Sequence, residues 1–389
     1  ADGVAAFAGG VSALPPRART TDADPLLSPP SPRHVDWALV LLALAAAGLG
    51  WLALRGGAEG SPRLLAGAQK QLLWLLVGAV VAAAATLFDY RRLARFIPHL
   101  YAANLTLLAG VLVVGEAIKG SRAWFDFGLF NYQPSETMKV VAAAALAQWF
   151  ATRPEPPRRL AELSQPALLV GAPMALVMLQ PDLGTTLVFG VLAAAVCYWA
   201  GVPMRLLAMV AVACLALGAA AYPVLKPYQK ERIKVFLDPE RDPRGAGYNV
   251  IQSRIAIGSG GLLGKGWKEG TQSTFGILPE HQTDFIFASA VEQFGAAGGA
   301  AIIALMLGIA TRLLRAVDAA RDRFGGLLVA GLAAVFCTHA FFNIAMTMGL
   351  VPVTGLPLPL LSYGGSFMLT TGLSLGLALN VGARRYWFD

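Results

Sequence analysis

Long uninterrupted runs of apolar residues dominate this chain. Each is roughly 17 to 25 residues long, which is enough for a helix to cross a bilayer. Only 14% of the residues are charged, whereas a soluble domain carries about 25%. The sequence therefore predicts an all-α polytopic membrane protein with about ten transmembrane helices. They begin near Val35, Gln71, Ile97, Ser135, Pro166, Gly184, Arg205, Asp284, Gly326 and Gly365.

Composition excludes several other classes of protein. The sequence lacks the short alternating strands of a transmembrane barrel. The net charge of +8 resides mainly between the apolar runs, so membrane topology explains it better than nucleic-acid binding does. Cys197, Cys214 and Cys337 are scattered inside apolar runs, without the spacing of a disulfide framework or a zinc site. We expect these three residues to be small, buried apolar side chains.

The chain divides into a tail and a membrane domain. Residues 1–33 are rich in Ala, Gly, Pro, Ser and Arg, and no apolar core precedes a cleavage site. We expect a disordered tail rather than a signal peptide; its origin, natural or introduced with the expressed gene, stays open. Residues 34–389 are predicted to form the transmembrane domain, with a large extracytoplasmic loop over 226–283 between the seventh and eighth helices.

Basic residues between the spans predict the orientation. With the N-terminus in the cytoplasm, arginine-rich connections such as that of Arg91, Arg92 and Arg95 are cytoplasmic, as the positive-inside rule requires. The loop over 226–283 is also basic, but long loops cross the membrane regardless of charge. This orientation places the polar connections on the extracytoplasmic side, away from ATP and nucleotide sugars. A substrate must therefore arrive there already activated or be moved across.

Asp284 stands where this loop meets the eighth apolar run. A carboxylate at the edge of a bilayer is costly to maintain and indicates function. The competing interpretation is that Asp284 is the N-cap of the helix that follows, although Thr283 could serve as that cap. Glu280 and His281 lie at the same edge, and Glu292 lies two turns into the apolar run, where we expect it to face the bundle interior.

A second polar group lies between the third and fourth spans. Ser135 and Glu136 are typical of a helix start, with Ser135 as N-cap, and Glu136 can pair with Lys139 three residues later. Lys139 opposes the helix dipole there, so an anion near it would resolve the conflict. Arg122 fits either an interfacial anchor or a contact with a phosphate.

Three further loops carry polar residues. Asp182, in the tight turn between the fifth and sixth spans, is either a plain N-cap or a functional acid. Lys265 ends a glycine-rich segment that fails as a P-loop, because Gly266 stands where Ser or Thr is needed. This segment is either a flexible loop or a turn whose backbone approaches a pyrophosphate. Ser362 belongs to a proline-rich loop over 352–366 that we expect to wall a site.

A short helix is also predicted within the large loop. Tyr248, Ile251 and Ile255 recur at helical spacing and predict one apolar face, while Gln252 faces elsewhere. This helix lies either on the membrane surface or against the other spans.

Taken in order, these motifs resemble the SEDS family (shape, elongation, division and sporulation). They are GSRAW, QPSE with Lys139, QPDLGT, GAGYNVIQSRIAIGSGGLLGKGW, LPEHQTDFIFA and GLPLPLLSYGGS. The resemblance spans roughly Val35 to the C-terminus, and Gly264–Ser273 look more like the elongation members than the division members. The family's essential aspartate matches Asp284, and its other acidic and lysine positions match Glu136, Lys139 and Asp182.

The resemblance implies a peptidoglycan glycosyltransferase. Such a protein polymerises lipid II, a disaccharide-pentapeptide on undecaprenyl pyrophosphate, at the outer face of the bacterial inner membrane during elongation. Its implied partners are a class B penicillin-binding protein and other membrane proteins of the elongation complex. Candidate substrate contacts are Arg122, Glu136, Lys139, Asp182, Gln252, Lys265, Glu280, His281 and Ser362.

An α-linked donor and a β-1,4 product imply a single inverting displacement. Asp284 would act as the general base on the acceptor hydroxyl, and Arg122, Lys139 and Lys265 would stabilise the departing pyrophosphate. A divalent cation, Mg²⁺ or Mn²⁺, near Glu136 or Asp182 could share that task, although the sequence shows no ligand cluster.

Two alternatives stay open on the residues alone. One is a lipid II flippase, for which ten spans suffice, although the internal repeats common in transporters are not evident. The other is a structural scaffold for a synthase.

Overall fold

The computed structural model describes residues 32–384, except 60, 119–120, 129, 221, 225–226, 244 and 246. Most of the predicted disordered tail, residues 1–31, lies outside them, as does Lys226 at the start of the predicted large loop. Within the described ranges there are thirteen α-helices. They are α1 Trp37–Gly57, α2 Pro62–Leu87, α3 Tyr90–Val114, α4 Pro134–Ala151, α5 Ser164–Leu179, α6 Leu183–Trp199, α7 Met204–Ala220, α8 Pro227–Leu237, α9 Tyr248–Ser259, α10 Thr271–Thr274, α11 Ile286–Asp318, α12 Arg323–Thr347 and α13 Gly365–Ala383.

The all-α polytopic fold is confirmed. In the described part of the chain, seven helical stretches are long and apolar enough to cross a membrane, and α6 and α7 are shorter apolar helices. Each predicted apolar run lies in a helix, but α2 begins at Pro62 rather than near Gln71, and α3 begins at Tyr90 rather than near Ile97. Proline is favoured in the first turn of a helix, where its missing N–H is not needed, so α2 extends through a polar stretch before its apolar run.

The centre of the bundle is formed by α12 and α13. In their most apolar 18-residue stretches, 67% and 78% of the residues are buried, compared with 17% in α3. α12 packs against α4, α6 and α11, while α13 packs along α2, and α1 along α11. Polar side chains on α12 therefore point into protein, where a hydrogen-bond partner is required.

A small antiparallel sheet joins α3 to α4, a feature that the sequence did not indicate. Its strands are β1 Glu116–Ile118, β2 Ser121–Asp126 and β3 Asn131–Tyr132, in the order β1-β2-β3. The hydroxyl of Ser121 donates to the carbonyl of Gln180 in the α5–α6 turn, and Ser366 Oγ donates to Asn131 O (2.8 Å). These bonds hold the sheet over the end of the bundle where α4, α6 and α13 begin.

The short helix predicted within the large loop is α9, and it packs on the bundle through a face other than its predicted apolar face. Ile255 is exposed, and the buried residues are Val250, Ser253 and Ala256. Ser253 Oγ donates to Thr347 O (2.7 Å) at the end of α12. α9 therefore packs on the bundle through a face of small residues that a search for large apolar side chains does not detect.

The glycine-rich segment closes a break in α11. Gly295 adopts φ 70° and ψ −171°, which interrupts the helix and frees backbone groups on both sides. Lys265 N donates to Glu292 O (3.0 Å), and Ala296 N donates to Gly261 O (2.9 Å). A Cβ at Gly295 would lie 2.3 Å from Gly264 N, so glycine is required where the two chains touch. The flexible-loop interpretation of this segment is therefore wrong.

α7 is the least enclosed of the long helices. Along its described residues only Leu206 is buried, and Cys214 is exposed. The prediction of a buried cysteine is wrong for Cys214; Cys337 is half-buried, and Cys197 on α6 is buried as expected. An apolar run alone does not say which of its residues face protein and which face lipid.

Candidate functional site

α4 carries a buried ion pair near its start. Lys139 Nζ lies 2.9 Å from Glu136 Oε1, and the two residues are 1% and 4% exposed. The predicted pairing three residues apart is therefore present. The predicted cap is not, because the N-cap position is Gln133 and it makes no side-chain capping bond. Ser135 is buried within the first turn.

His339 and Thr370 complete this buried cluster. Nε2 of His339 on α12 lies 2.8 Å from Lys139 Nζ, and Thr370 Oγ1 on α13 lies 3.4 Å from Glu136 Oε2. A cavity of about 30 Å³ adjoins the cluster, which is room for a water molecule. The sequence interpretation did not single out His339, although a lone titratable residue inside an apolar run was a usable signal.

The proline loop, residues 352–364, runs without helix through the protein interior. Leu356, Leu358 and Leu361 are at most 1% exposed, so their backbone is enclosed by the bundle as expected. Asn343 Nδ2 donates to Leu356 O (2.8 Å), and His339 Nδ1 donates to Pro357 O (3.1 Å). Two side chains of α12 thus hold two consecutive carbonyl groups of the proline loop.

Asp284 lies one residue before the N-cap of α11. The N-cap position is Phe285, which makes no side-chain capping bond. The residue is half-buried. A Cβ at Gly355 would lie 3.7 Å from Asp284 Oδ2, which sets the carboxylate against the proline loop. Asn343 Nδ2 also donates to Asp284 O (2.9 Å), so Asn343 positions Asp284 as well as the loop.

The other predicted residues near Asp284 have structural partners. Ser362 is fully buried; its hydroxyl donates to Thr283 O (2.6 Å) and accepts from Leu358 N (2.8 Å). His281 is 5% exposed, and its Nδ1 donates to Leu278 O (2.9 Å). Burial lowers the pKa of His281 below its ordinary value. Glu280 is exposed. Ser362 and His281 therefore hold the turn that carries Asp284.

Asp182 caps α6. Its Oδ1 accepts from Thr185 N (2.9 Å), as the simpler interpretation predicted, and its Oδ2 lies 3.5 Å from Gln133 Nε2. A Cβ at Gly184 would lie 2.4 Å from Thr354 O, so this turn also touches the proline loop. The functional interpretation of Asp182 is thus not needed to explain its position.

Lys265 contacts Glu292. The two atoms Lys265 Nζ and Glu292 Oε1 lie 2.8 Å apart, and Lys265 Nζ also donates to Thr271 Oγ1 (2.7 Å). Glu292 is fully buried and accepts further bonds from Gln272 N (2.8 Å) and Ser273 N (3.1 Å) at the start of α10. We call Lys265, Glu292 and α10 the acidic clamp. Glu292 is buried, but its carboxylate contacts the large loop rather than the bundle interior, and the acidic clamp fastens this loop to α11.

Arg122 and Gln252 lie apart from these bonded groups. Arg122 is exposed on β2, and Gln252 is half-buried on α9. In the residues that the structure describes, no three His, Cys, Asp or Glu side chains come together as metal ligands. Glu136 is bonded to Lys139, and Asp182 caps α6, so neither predicted acid belongs to such a set.

The proline loop connects three of the predicted positions, Asp182, Asp284 and Lys139. The Asp182 turn touches it at Thr354, Asp284 at Gly355, and the Lys139 cluster at Pro357 through His339. The site thus has a half-buried carboxylate and a buried ammonium group fixed to the same rigid segment. A carboxylate can accept a proton and a cation can stabilise a departing anion, which is the pairing required for a group transfer.

The chain is similar to known proteins over most of its length. Residues 58–386 match the family model of FtsW/RodA/SpoVE cell cycle proteins. The chain is 39% identical over 293 residues to the peptidoglycan glycosyltransferase MrdB of Escherichia coli K12, covering 74% of this chain and 78% of that protein. It is 30% identical to the peptidoglycan glycosyltransferase RodA of Treponema pallidum, covering 90% and 98% of the two chains.

Solved structures share the fold. A chain from a peptidoglycan synthase complex, in a study of how polymerisation and crosslinking are coordinated, superposes with a TM-score of 0.79 at 38% identity, covering 91% of this chain and 99% of that one. The rod shape determining protein RodA of Thermus thermophilus superposes with a TM-score of 0.67 at 32% identity, covering 90% and 98%. The chain belongs to the FtsW/RodA/SpoVE family, the SEDS proteins.

Proposed function

We propose that this protein is a peptidoglycan glycosyltransferase that polymerises lipid II at the outer face of the bacterial inner membrane during cell elongation. The observation that carries the proposal is the position of Asp284, a half-buried carboxylate at the start of a membrane helix, set against the proline loop. The names of the relatives from Escherichia coli and Treponema pallidum support the same activity.

In the proposed reaction, Asp284 is the general base. Its carboxylate accepts the proton of the acceptor sugar's 4-hydroxyl while that oxygen attacks C1 of the donor sugar. The bond between C1 and the pyrophosphate oxygen breaks in the same step, and the electron pair leaves with undecaprenyl pyrophosphate. One displacement inverts the configuration at C1 from α to β.

Lys139 and Arg122 supply the positive charge for the leaving group. Lys139 is buried beside the proline loop in its ion pair with Glu136, which offsets part of its charge, and the low dielectric strengthens the remaining attraction for a developing anion. Arg122 is exposed on β2 and can reach a headgroup from solvent. Lys265 is bonded within the acidic clamp, and we assign it to structure rather than to substrate.

A divalent cation is not built into this mechanism. The described residues lack a set of three metal ligands, so the chain's own donors do not fit a protein-held metal site. Phosphate-bound Mg²⁺ keeps most of its ligands from phosphate and water, and polymerisation assays with and without a chelator measure whether such an ion enters with the substrate.

The proposed partners are a class B penicillin-binding protein, which crosslinks the glycan, and other membrane proteins of the elongation complex. Support comes from the structural similarity to a chain of a peptidoglycan synthase complex in which polymerisation and crosslinking are coordinated. Membrane embedding follows from the seven apolar helical stretches among the described residues.

The test is polymer formation by purified protein with lipid II and its partner in detergent. We expect Asp284→Ala and Asp284→Asn to lower the rate by about 10²–10⁴-fold, the usual contribution of a general base. Asp318→Asn is the matched control, because Asp318 is an exposed acid at the other end of α11. Retained polymerisation in the Asp284 variants would reject Asp284 as the base. Absence of polymer from the wild-type protein would favour a flippase, since detergent abolishes sidedness.

A further inference from the structure

His339 is fully buried in α12 and bonded on both sides of its ring. Because the carbonyl of Pro357 can only accept a hydrogen bond, Nδ1 must carry the proton. Nε2 therefore has a free lone pair, and it accepts from the ammonium group of Lys139 at 2.8 Å. The two bonds fix a neutral imidazole in one tautomer and one orientation.

The ammonium group of Lys139 needs such a partner. A lysine head is a compact charge on a flexible four-carbon stem, so a single ion pair leaves it free to swing about its partner. Glu136 lies in the same helix only three residues away and moves with Lys139. His339 is 200 residues away in sequence, on a different helix. It therefore fixes the ammonium group relative to the rest of the bundle.

The same face of α12 holds Asp284. His339 and Asn343 are four residues apart, which places them one above the other on the helix. His339 holds Pro357 O, and Asn343 holds both Leu356 O and Asp284 O. A single rigid helix thus sets the position of the cation and of the carboxylate.

We propose that His339 is a positioning residue for glycosyl transfer, which fixes the Lys139 ammonium group relative to the proline loop and Asp284. This inference rests on the proposed function, in which Lys139 stabilises the departing pyrophosphate. The effect acts on a group used in the transition state, so its loss lowers kcat and leaves KM nearly unchanged.

Two substitutions separate the two bonds of His339. In His339→Gln the amide reaches the place of Nε2, so an oxygen still accepts from Lys139. In His339→Asn the shorter amide reaches the place of Nδ1, so the bond to Pro357 survives and Lys139 loses its acceptor. Both variants have similar polarity, and each removes ring volume, so they form a matched pair.

The experiment measures initial rates of lipid II polymerisation in detergent, with the partner present, over a range of lipid II concentrations. We expect His339→Asn to lower kcat about 100-fold with KM within about 3-fold, as for a displaced catalytic group, and His339→Gln to retain kcat within about 5-fold. Melting temperatures of the two variants check that both fold.

Equal kcat values in the two variants, whether high or low, would overturn the inference, since only the bond to Lys139 distinguishes them. If the role of His339 were purely structural, His339→Asn would retain the higher kcat, because asparagine keeps the bond to the proline loop. A wild-type enzyme that makes no polymer overturns the proposed function and this inference with it. Equal variants of an active enzyme overturn this inference alone.

Discussion

Replacing Glu292 with Gln should destabilise the protein by several kcal/mol. Glu292 is fully buried, and its carboxylate is bonded to the ammonium group of Lys265, the hydroxyl groups of Thr271 and Ser273, and two backbone N–H groups of α10. A glutamine of the same shape offers one acceptor oxygen and turns an NH₂ group towards several donors. It also leaves the Lys265 ammonium group, only about a quarter exposed, without a counter-ion.

The magnitude follows from these contacts. Removing one partner of a buried, hydrogen-bonded charge pair costs about 3–5 kcal/mol, and the partial exposure of Lys265 places the expected value near the lower end. A matched control is Glu59→Gln. Glu59 pairs with Arg55 at 3.0 Å and with Lys268 at 3.2 Å in the same outer region, but its side chain is 42% exposed. Solvent screening limits an exposed pair to about 1 kcal/mol or less.

Thermal unfolding of the purified protein in detergent measures both changes. We expect the melting temperature to fall on the order of 5–10 °C in Glu292→Gln and little in Glu59→Gln. Lys265→Met should also lower the melting temperature. The loss of stability in the double variant should be smaller than the sum of the two single losses by about 1–3 kcal/mol, because the two residues share one interaction. Additive losses, or a Lys265→Met variant with normal melting and lost activity, would refute the acidic clamp and return Lys265 to the substrate.

Two further predictions concern the region around the clamp. Gly295→Ala should lower the free energy of unfolding by about 1–3 kcal/mol, because alanine is strained at φ 70° and its Cβ meets Gly264. Gly190→Ala is the control, because a Cβ there would meet nothing within 4 Å. Equal melting temperatures of the two variants would contradict the requirement for glycine at the break in α11. Burial lowers the pKa of His281 from its ordinary value of 6.5, so on acidification the unfolded chain binds a proton at a higher pH than the folded protein does. The free energy of unfolding therefore keeps its full value above pH 6.5 and declines as the pH falls below 6.5. His281→Asn should flatten this decline in melting temperature between pH 7.5 and 5.5, and an unchanged pH dependence would show that His281 is not its source.

Local contacts in the sequence were predictable, and contacts between distant segments were not. Glu136 and Lys139 are three residues apart on one helix, so their pairing follows from helical geometry. Asp182 likewise caps its own helix. Lys139 and His339 are separated by 200 residues, and periodicity gives no information on which helices become neighbours. His339 and Asn343 therefore emerged only from the packing of α12 against α4 and the proline loop.

Two packing contacts that the sequence did not reveal have a related cause. The apolar face predicted for α9 was built on its large side chains, yet α9 packs through Val250, Ser253 and Ala256 because close helix contact favours small residues. The glycine-rich segment was interpreted as a flexible loop or a pyrophosphate-binding turn, whereas Gly264 packs against the backbone of α11 at Gly295. In both cases the contact is made with backbone atoms of a neighbouring helix, and side-chain identity in the sequence does not reveal such contacts.

The hydrogen bonds of the proline loop show why this site requires a segment without helix. In a helix, the carbonyl groups of Leu356 and Pro357 would bond within the helix and would not be available to other elements. Here the prolines keep the segment extended, and the two carbonyls accept bonds from Asn343 and His339 instead. α12 can thus fix the loop, Asp284 and Lys139 in a single arrangement. A helix at this place would remove the loop partners of those two side chains, and the carboxylate and the ammonium group would lose their common support.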